Sequence, residues 1–120
     1  MARQVLAWEG AGRVRVELTL LGAPAMRRLN RRATGRRAVT DVIAYALPQA
    51  DDSVVGDVYL CPAAAERWPG EDLRVEMIRL AVHGTLHVLG YDHPEGPGRT
   101  RSAMWRRQER YVRRLTGDGR

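Results

Sequence analysis

Alternating apolar and polar residues mark the first clear element of regular structure in this 120-residue chain. From position 14 the apolar residues Val14, Val16, Leu18 and Leu20 alternate with Arg15, Glu17 and Thr19. A period of two places the apolar side chains on one face of a strand, so the pattern predicts a half-buried strand over 14–21. The short apolar stretch Val5–Trp8 lies just before it, across Glu9–Gly12, and predicts a first strand that pairs with it as a hairpin.

Two longer segments repeat with helical spacing. The first runs from about Asp72 to Leu89, with acidic residues in its first turn and Gly90 after its last apolar residue, and its broad apolar face predicts the central helix. That face consists of Met77, Ile78, Ala81, Val82, Leu86 and Leu89. The second segment carries Met104, Gln108, Tyr111, Val112 and Leu115 at helical spacing. Its opposite face holds five arginines, for which solvation is the usual interpretation and phosphate binding the alternative.

The remaining elements are shorter. Pro24 favours the start of a helix that Gly35 ends, and residues 62–67 predict another short helix. Thr40–Leu47 and Val54–Cys61 are rich in β-branched and aromatic residues, which predicts two strands separated by a polar loop. Because strands and helices do not alternate regularly, the predicted class is α+β, with a small mixed sheet packed on the central helix. The length predicts a single domain over residues 1–120.

All three histidines of the chain lie within the eleven-residue string HGTLHVLGYDH. His83 and His87 are four residues apart, so on the central helix they share one face, and His93 returns after the turn at Gly90. Three imidazoles that converge with an open fourth position are typical of a catalytic zinc site. The sequence therefore predicts one Zn²⁺ per chain, held by His83, His87 and His93, within the central helix and the turn that follows it.

Two neighbouring residues refine this prediction. Asp92 adjoins His93 and is a candidate to orient a ligand or a water, although a turn residue beside Pro94 is an equally good interpretation. Gly84 stands where the common zinc peptidase motif HExxH has its glutamate base, so that peptidase chemistry is excluded. A glycine there also predicts open space beside the metal for backbone or substrate.

The histidine motif and several other stretches of the chain resemble a known protein family. HGTLHVLGYDH is similar to the histidine motif of the YbeY family, bacterial metal-dependent endoribonucleases linked to ribosomal RNA maturation. Three further stretches resemble that family: Leu29-Asn30 followed by 40–45 at the family's spacing, the strand 56–60 beginning Gly-Asp, and the last helix with Met104 and Glu109. The resemblance covers about residues 13 to 115. It implies a sheet packed on a central helix, with the metal in a cleft at that helix's C-terminal end.

The resemblance also implies the substrate and partners: single-stranded RNA, a ribosomal RNA precursor and the small ribosomal subunit. The family's arginine five residues after the leucine is Thr34 here, which leaves Arg36 and Arg37 as candidates for its role. The expected catalytic residues are Arg36, Arg37 and Asp92, and the expected RNA-binding residues are Arg31, Arg32, Arg36 and Arg37. A further departure lies at the front, where too few residues precede Gly12 for both a strand and the family's first helix. Either the hairpin or a partner subunit would then cover the exposed face.

Two other functions stay open. A zinc hydrolase of another substrate, such as an amide, would need an acidic base, and none is evident in the motif. The other alternative is an RNA- or ribosome-binding assembly factor whose zinc is mainly structural. The loss of the family's arginine at Thr34 favours this alternative.

Composition changes this picture only slightly. The net charge of +6 favours a polyanionic partner. All 20 basic residues are arginine, as expected from a GC-rich codon bias. The number of arginines is therefore weaker evidence for such a partner than the positive sign of the net charge. Cys61 is the only cysteine, which predicts no intrachain disulfide and a reducing compartment. It is better interpreted as a buried apolar residue than as a fourth metal ligand. No apolar stretch has transmembrane length and the N-terminus lacks a secretory pattern, so the predicted location is the cytoplasm.

Overall fold

The computed structural model describes residues 2–36, 38–65, 72–92, 98 and 102–117. Five helices and three strands are present in these ranges. In chain order they are α1 (Ala2–Trp8), β1 (Val14–Leu20), α2 (Ala23–Thr34), β2 (Val42–Pro48), β3 (Val54–Leu60), α3 (Pro62–Ala65), α4 (Leu73–Val88) and α5 (Ala103–Thr116). The architecture is α+β with a small mixed sheet, as predicted.

The sheet has the order β1-β3-β2, so the last strand in sequence lies in the middle. β1 runs parallel to β3, with Val16 opposite Gly56, and β2 runs antiparallel to β3, with Ala44 opposite Val58. A parallel pair needs a crossover connection, and the chain between β1 and β3 supplies it through α2 and β2. Val58, on the central strand, is completely buried.

α4 is the central helix, packed between the sheet and α5. One side of it joins Leu80, Ala81 and Val88 to the sheet residues Val58 and Leu60. The other side forms a second cluster with α1 and α5, whose buried members are Val5, Ile78, Val82, Leu86, Met104, Tyr111 and Val112. Because both sides of the helix are covered, its apolar face is wider than an ordinary amphipathic stripe.

The helix ends follow the residues that the sequence offers. Asp72 caps α4 by accepting a hydrogen bond from the Arg74 amide at 2.9 Å, and Ser102 caps α5 by accepting one from the Trp105 amide at 3.1 Å. α2 ends at Gly35, whose φ of 76° is the left-handed conformation that glycine adopts readily. These boundaries confirm the predicted helices within a few residues.

The predicted hairpin at the front of the chain is wrong. Residues 2–8 form α1, and Val5 is fully buried against α4 and α5. Trp8 stacks on Tyr111 with ring centroids 5.1 Å apart, so the apolar side chains that suggested a strand instead cover a helix pair. A four-residue apolar stretch is compatible with a strand or a helix, and here packing against α4 and α5 favours the helix.

β1 departs from its predicted burial. Val14 and Val16 are half-buried as expected, but Leu18 is 39% exposed and Leu20 is 65% exposed although they share the same face. Cys61 is completely buried with Met26 and Ala64, in agreement with an apolar role. Within the described ranges, no helix combines the length and hydropathy required to cross a membrane.

Candidate metal centre

His83 and His87 point their Nε2 atoms at each other from successive turns of α4. The two Nε2 atoms lie 3.0 Å apart, and the rings meet edge to face with centroids 4.5 Å apart. His83 is buried and His87 is half-buried. The spacing of four residues therefore brings the two imidazoles together as the sequence predicts.

The other ring nitrogen of each histidine has a fixed partner. His87 Nδ1 lies 3.0 Å from the backbone carbonyl of Tyr91, which can only accept, so this nitrogen carries the proton. His83 Nδ1 lies 2.7 Å from Oε1 of Gln108 on α5. Both rings are thus held with Nδ1 protonated, and each Nε2 presents its lone pair to the space between them.

A chain of polar contacts fixes the Gln108 amide itself. Gln108 is 1% exposed, and its Nε2 donates to the carboxylate of Glu109 at 3.0 Å, so its oxygen faces His83. Glu109 in turn accepts from Arg79 Nε at 2.9 Å, and Arg79 also donates to Glu76 at 2.6 Å. Burial alone would lower the pKa of Arg79, but its hydrogen bonds to Glu109 and Glu76 outweigh burial and hold that pKa above its usual value, so the guanidinium stays charged.

This donor set suits a zinc ion. Two lone pairs that face each other at 3.0 Å repel unless a cation lies between them. Two zinc–nitrogen bonds of about 2.0–2.1 Å at a tetrahedral angle hold their nitrogens about 3.4 Å apart, close to the distance found here. His87 also lies in the last turn of α4, where the helix dipole favours positive charge. Ligating histidines usually donate Nδ1–H to a carbonyl or amide oxygen in this way.

The third predicted ligand, His93, lies outside the described residues. Among those that are described, no three His, Cys, Asp or Glu side chains come together as a metal site. Asp92 is exposed and directly follows Tyr91, the residue whose carbonyl orients His87. The described part of the centre is therefore the pair His83 and His87 with their two orienting groups.

A buried carboxylate supports the turn that follows α4. Glu9 accepts hydrogen bonds from the Tyr91 hydroxyl at 2.6 Å, from Arg107 at 2.9 Å and from the Tyr111 hydroxyl. Burial alone raises the pKa of Glu9, but the bonds from Tyr111, Tyr91 and Arg107 outweigh it and hold that pKa below its usual value. Arg107 also lies over the Tyr91 ring, 5.1 Å from its centroid. Glu9 thereby links α1 and α5 to the residue that orients His87.

Gly84 has a different role from the one predicted. A Cβ at this position would lie 2.5 Å from Cγ1 of Val58 and 3.4 Å from Cγ2 of Val42. The glycine therefore lets α4 approach the sheet closely. The open space predicted beside the metal is wrong for this residue.

The predicted arginines lie on and after α2. Arg31, Arg32 and Arg36 are exposed, the first two in the last turn of α2, while Arg37 lies outside the described residues. Asn30 donates to the carbonyl of Ala38 at 2.8 Å and so holds the following segment against the helix. That segment leads to Val42, whose side chain lies beside Gly84. Val42 therefore brings the segment that follows α2 beside the turn of α4 that carries His83.

Thr34, which stands in place of the family's arginine, folds back onto α2. Its hydroxyl lies 2.9 Å from both the backbone and the side-chain oxygen of Asn30. It also accepts a hydrogen bond from the Arg36 amide at 3.2 Å. Thr34 closes the end of the helix and offers no cation to the site.

Comparison with known proteins agrees with this geometry. Residues 2–116 match the family described as endoribonuclease YbeY. The chain belongs to the YbeY endoribonuclease family. Endoribonuclease YbeY of Pelotomaculum thermopropionicum is 38% identical over 125 residues, which cover 95% of this chain and 81% of the relative. Endoribonuclease YbeY of Thermotoga maritima is 31% identical over 112 residues, which cover 91% of this chain and 73% of the relative.

A solved structure extends the likeness to the fold of the YbeY family. The solution structure of TM1509 from Thermotoga maritima superposes with a TM-score of 0.69 at 28% identity, and the match covers 97% of this chain and 77% of that one. The YbeY match begins at residue 2 and so includes α1. Membership thus rests on nearly the whole chain and not on the histidine motif alone.

The helical spacing predicts Gln108 correctly on the inner face of the last helix, but it does not show the contact with His83. A polar residue among the buried positions of an amphipathic helix was the available signal, because such a group needs a partner. The Glu9 contacts had no comparable signal, since they join residues 82 to 102 positions apart.

Proposed function

We propose that this protein is a zinc-dependent endoribonuclease that hydrolyses single-stranded RNA during ribosomal RNA maturation. The observation that carries the proposal is the pair of converging Nε2 atoms of His83 and His87, each fixed by an oriented Nδ1 donor. Family membership supports endoribonuclease activity, and the absence of a glutamate at Gly84 argues against peptidase chemistry. The precursor RNA, the small ribosomal subunit and the cytoplasm as its location belong to the same proposal.

In this proposal His83, His87 and His93 hold the zinc ion. Bound zinc supplies a Lewis acid for the phosphodiester and lowers the pKa of a coordinated water to about 7. Gln108 and Tyr91 keep the two helical imidazoles in the tautomer that ligation requires. Asp92 orients a ligand or water next to His93.

The exposed arginines of α2 supply the phosphate contacts. Arg31 and Arg32 lie on the helix and Arg36 just after it, and the structure gives no ion pair for any of them within its described ranges. Exposed guanidinium groups bind phosphates bidentately and release counterions, which supplies affinity without sequence preference. Arg36 or Arg37 delivers the charge that the family's arginine would deliver at Thr34.

The test compares zinc-loaded wild type with a His87→Ala variant on one single-stranded RNA and on its duplex. We expect cleavage of the single strand by wild type, none by His87→Ala, and little cleavage of the duplex. Gln49→Ala, in an exposed turn, is the matched control for purification and should cleave like wild type. Equal cleavage by His87→Ala would remove the histidine pair from the chemistry and with it the proposal.

The contacts of Thr34 favour a second candidate function, an assembly factor that binds RNA or the ribosome around a structural zinc. With Thr34 tied to Asn30 and Arg36, the site has one cation fewer than the family pattern. Such a cation is typically worth about a hundredfold or more in rate. If Arg36→Ala or Arg37→Ala abolishes cleavage while zinc stays bound, the nuclease proposal stands. RNA binding without cleavage, in wild type and in Thr34→Arg alike, would favour the assembly factor.

A further inference from the structure

β1 is an edge strand with its hydrogen-bonding groups turned outward. The Arg13 carbonyl accepts from the Val54 amide at 2.9 Å and the Leu21 amide donates to the Leu60 carbonyl at 2.8 Å, so odd-numbered residues face β3. Because successive residues alternate, Val16, Leu18 and Leu20 direct their N–H and C=O groups away from the sheet, as does the Val14 carbonyl, whereas the Val14 N–H donates to the Ala11 carbonyl at 3.3 Å. Within the described residues, no strand pairs with this edge. Such an edge is a ready template for another strand.

The two ends of this edge have complementary shapes. At the far end Leu18 and Leu20 protrude, 39% and 65% exposed, on the face that carries α4. At the near end a surface groove of about 470 Å³ lies between α1 and β1. Its lining is largely apolar and consists of Arg3, Leu6, Ala7, Gly10, Ala11, Gly12 and Val14.

We propose that β1 pairs antiparallel with β1 of a second copy of this chain, with Val16 on the two-fold axis. A contact of this kind is self-complementary, because the same patch serves on both subunits. In this register Leu18 lies opposite the partner's Val14, and Leu20 extends past the start of the partner's β1 toward the turn that contains the partner's Gly12. Each protruding leucine therefore reaches the groove of the other copy, on the same face of a continuous six-stranded sheet.

Charge selects this register on the opposite face. Arg15 lies opposite the partner's Glu17, and Glu17 opposite the partner's Arg15, which forms two cross-strand ion pairs. Glu17 already lies beside Asp57 of β3, two like charges at neighbouring positions, and the incoming arginine offsets that repulsion. Shifting the axis to Glu17 keeps the hydrogen bonds but sets glutamate against glutamate. Shifting it to Arg15 sets arginine against arginine, and Glu17 then lies opposite the partner's Arg13, whose guanidinium already donates to the Asp51 carbonyl of its own chain.

Two charge variants test the register directly. In a dimer of the Glu17→Arg variant, the new arginine lies opposite the partner's Arg15. In a dimer of the Arg15→Glu variant, the new glutamate lies opposite the partner's Glu17. We expect wild type to be a dimer by light scattering and each variant to weaken self-association about tenfold or more. An equimolar mixture of the two variants restores both ion pairs and should form a heterodimer. Circular dichroism of each variant checks that it is folded.

Leucine variants test the fit of the groove. Leu20→Ser should weaken the dimer, whereas Leu47→Ser, at a leucine that is 46% exposed on the opposite edge strand, should leave it unchanged. Wild type that is monomeric at every concentration would overturn the proposal, as would a mixture of charge variants that stays monomeric. A dimer that Leu47→Ser disrupts and Leu20→Ser does not would place the interface at β2 and also overturn it.

Discussion

His83 Nδ1 lies 2.7 Å from Oε1 of Gln108, so the first histidine of the motif is oriented by the last helix of the chain. Gln108 is 1% exposed and can turn its oxygen only toward His83, because its amide nitrogen donates to Glu109. The amide thus sets which nitrogen of His83 is available for a metal.

Gln108→Leu should weaken zinc binding without unfolding the protein. Leucine preserves most of the buried volume but cannot accept the Nδ1 proton, and loss of such an orienting partner typically costs about 10–100-fold in metal affinity. Competition with a chromophoric chelator measures the affinity. Gln49→Leu, at an exposed turn, is the matched control and should bind zinc like wild type. An unchanged affinity in Gln108→Leu would show that the contact does not orient His83.

Wild type should purify with close to one equivalent of zinc or a similar divalent ion, and His83→Ala should lose most of it. Elemental analysis of protein prepared without chelators gives the stoichiometry. His93→Ala, measured separately, tests the turn histidine: metal retained at full occupancy would show that His93 is not a ligand. Zinc at a hundredfold excess over its dissociation constant should also stabilise the wild-type fold by about 2.7 kcal/mol.

Replacing Glu9 should reveal a pH-dependent part of the stability. The pKa of Glu9 is lowered in the folded state, so its stabilisation is complete above the unfolded pKa and is lost as the pH falls through the folded pKa. Glu9→Gln should therefore cost about 1–3 kcal/mol near neutral pH, and the difference from wild type should shrink in acid below the ordinary glutamate value of 4.5. Urea unfolding at several pH values measures the difference. A gap that widens toward low pH would contradict the sign.

Gly84→Ala should destabilise the protein even though alanine favours helices. Its Cβ would meet Val58 at 2.5 Å, and overpacking of this kind costs about 1–3 kcal/mol. That outweighs the helix gain of about 1 kcal/mol. Val58→Ala removes the obstructing methyl groups, so the double variant should be more stable than the sum of the two single effects. If the effects of the two substitutions on the free energy of unfolding are additive, the side chains at positions 84 and 58 do not clash.

Most of the secondary structure could be predicted because its signals are local. Pro24, Gly35 and Gly90 mark helix ends, and helical spacing identifies α4 and α5 from their apolar residues alone. The pairing of His83 with His87 follows from the same periodicity, since residues four apart share a helix face.

The errors concern contacts between distant segments. Residues 5–8 are too few to distinguish a strand from a helix by period, and their helical form depends on packing against α4 and α5. Gly84 was predicted to leave open space for backbone or substrate, because the motif does not show which face of the helix meets the sheet. The orienting role of Gln108 depends on how α4 and α5 dock.

Charge reversal on α2 should weaken RNA binding and reduce its dependence on salt. Arg31→Glu with Arg32→Glu removes two exposed cations, and each lost phosphate contact lowers the slope of log affinity against log salt by about 0.7 for a single strand. Fluorescence anisotropy of a labelled RNA across salt concentrations measures both quantities. Arg110→Glu with Arg113→Glu, exposed on α5, is the matched control for net charge. An effect confined to the α5 pair would move the RNA path to that helix.

The two groups that orient the histidines enter the structure at different times during synthesis. Tyr91 follows His87 by four residues, whereas Gln108 is made 25 residues after His83 and reaches it only when α5 docks. A nascent chain that ends before α5 already contains the whole histidine motif but lacks the amide that fixes His83. The histidine pair is therefore fully oriented only after α5 has been translated and has docked, and termination before α5 leaves His83 without its partner.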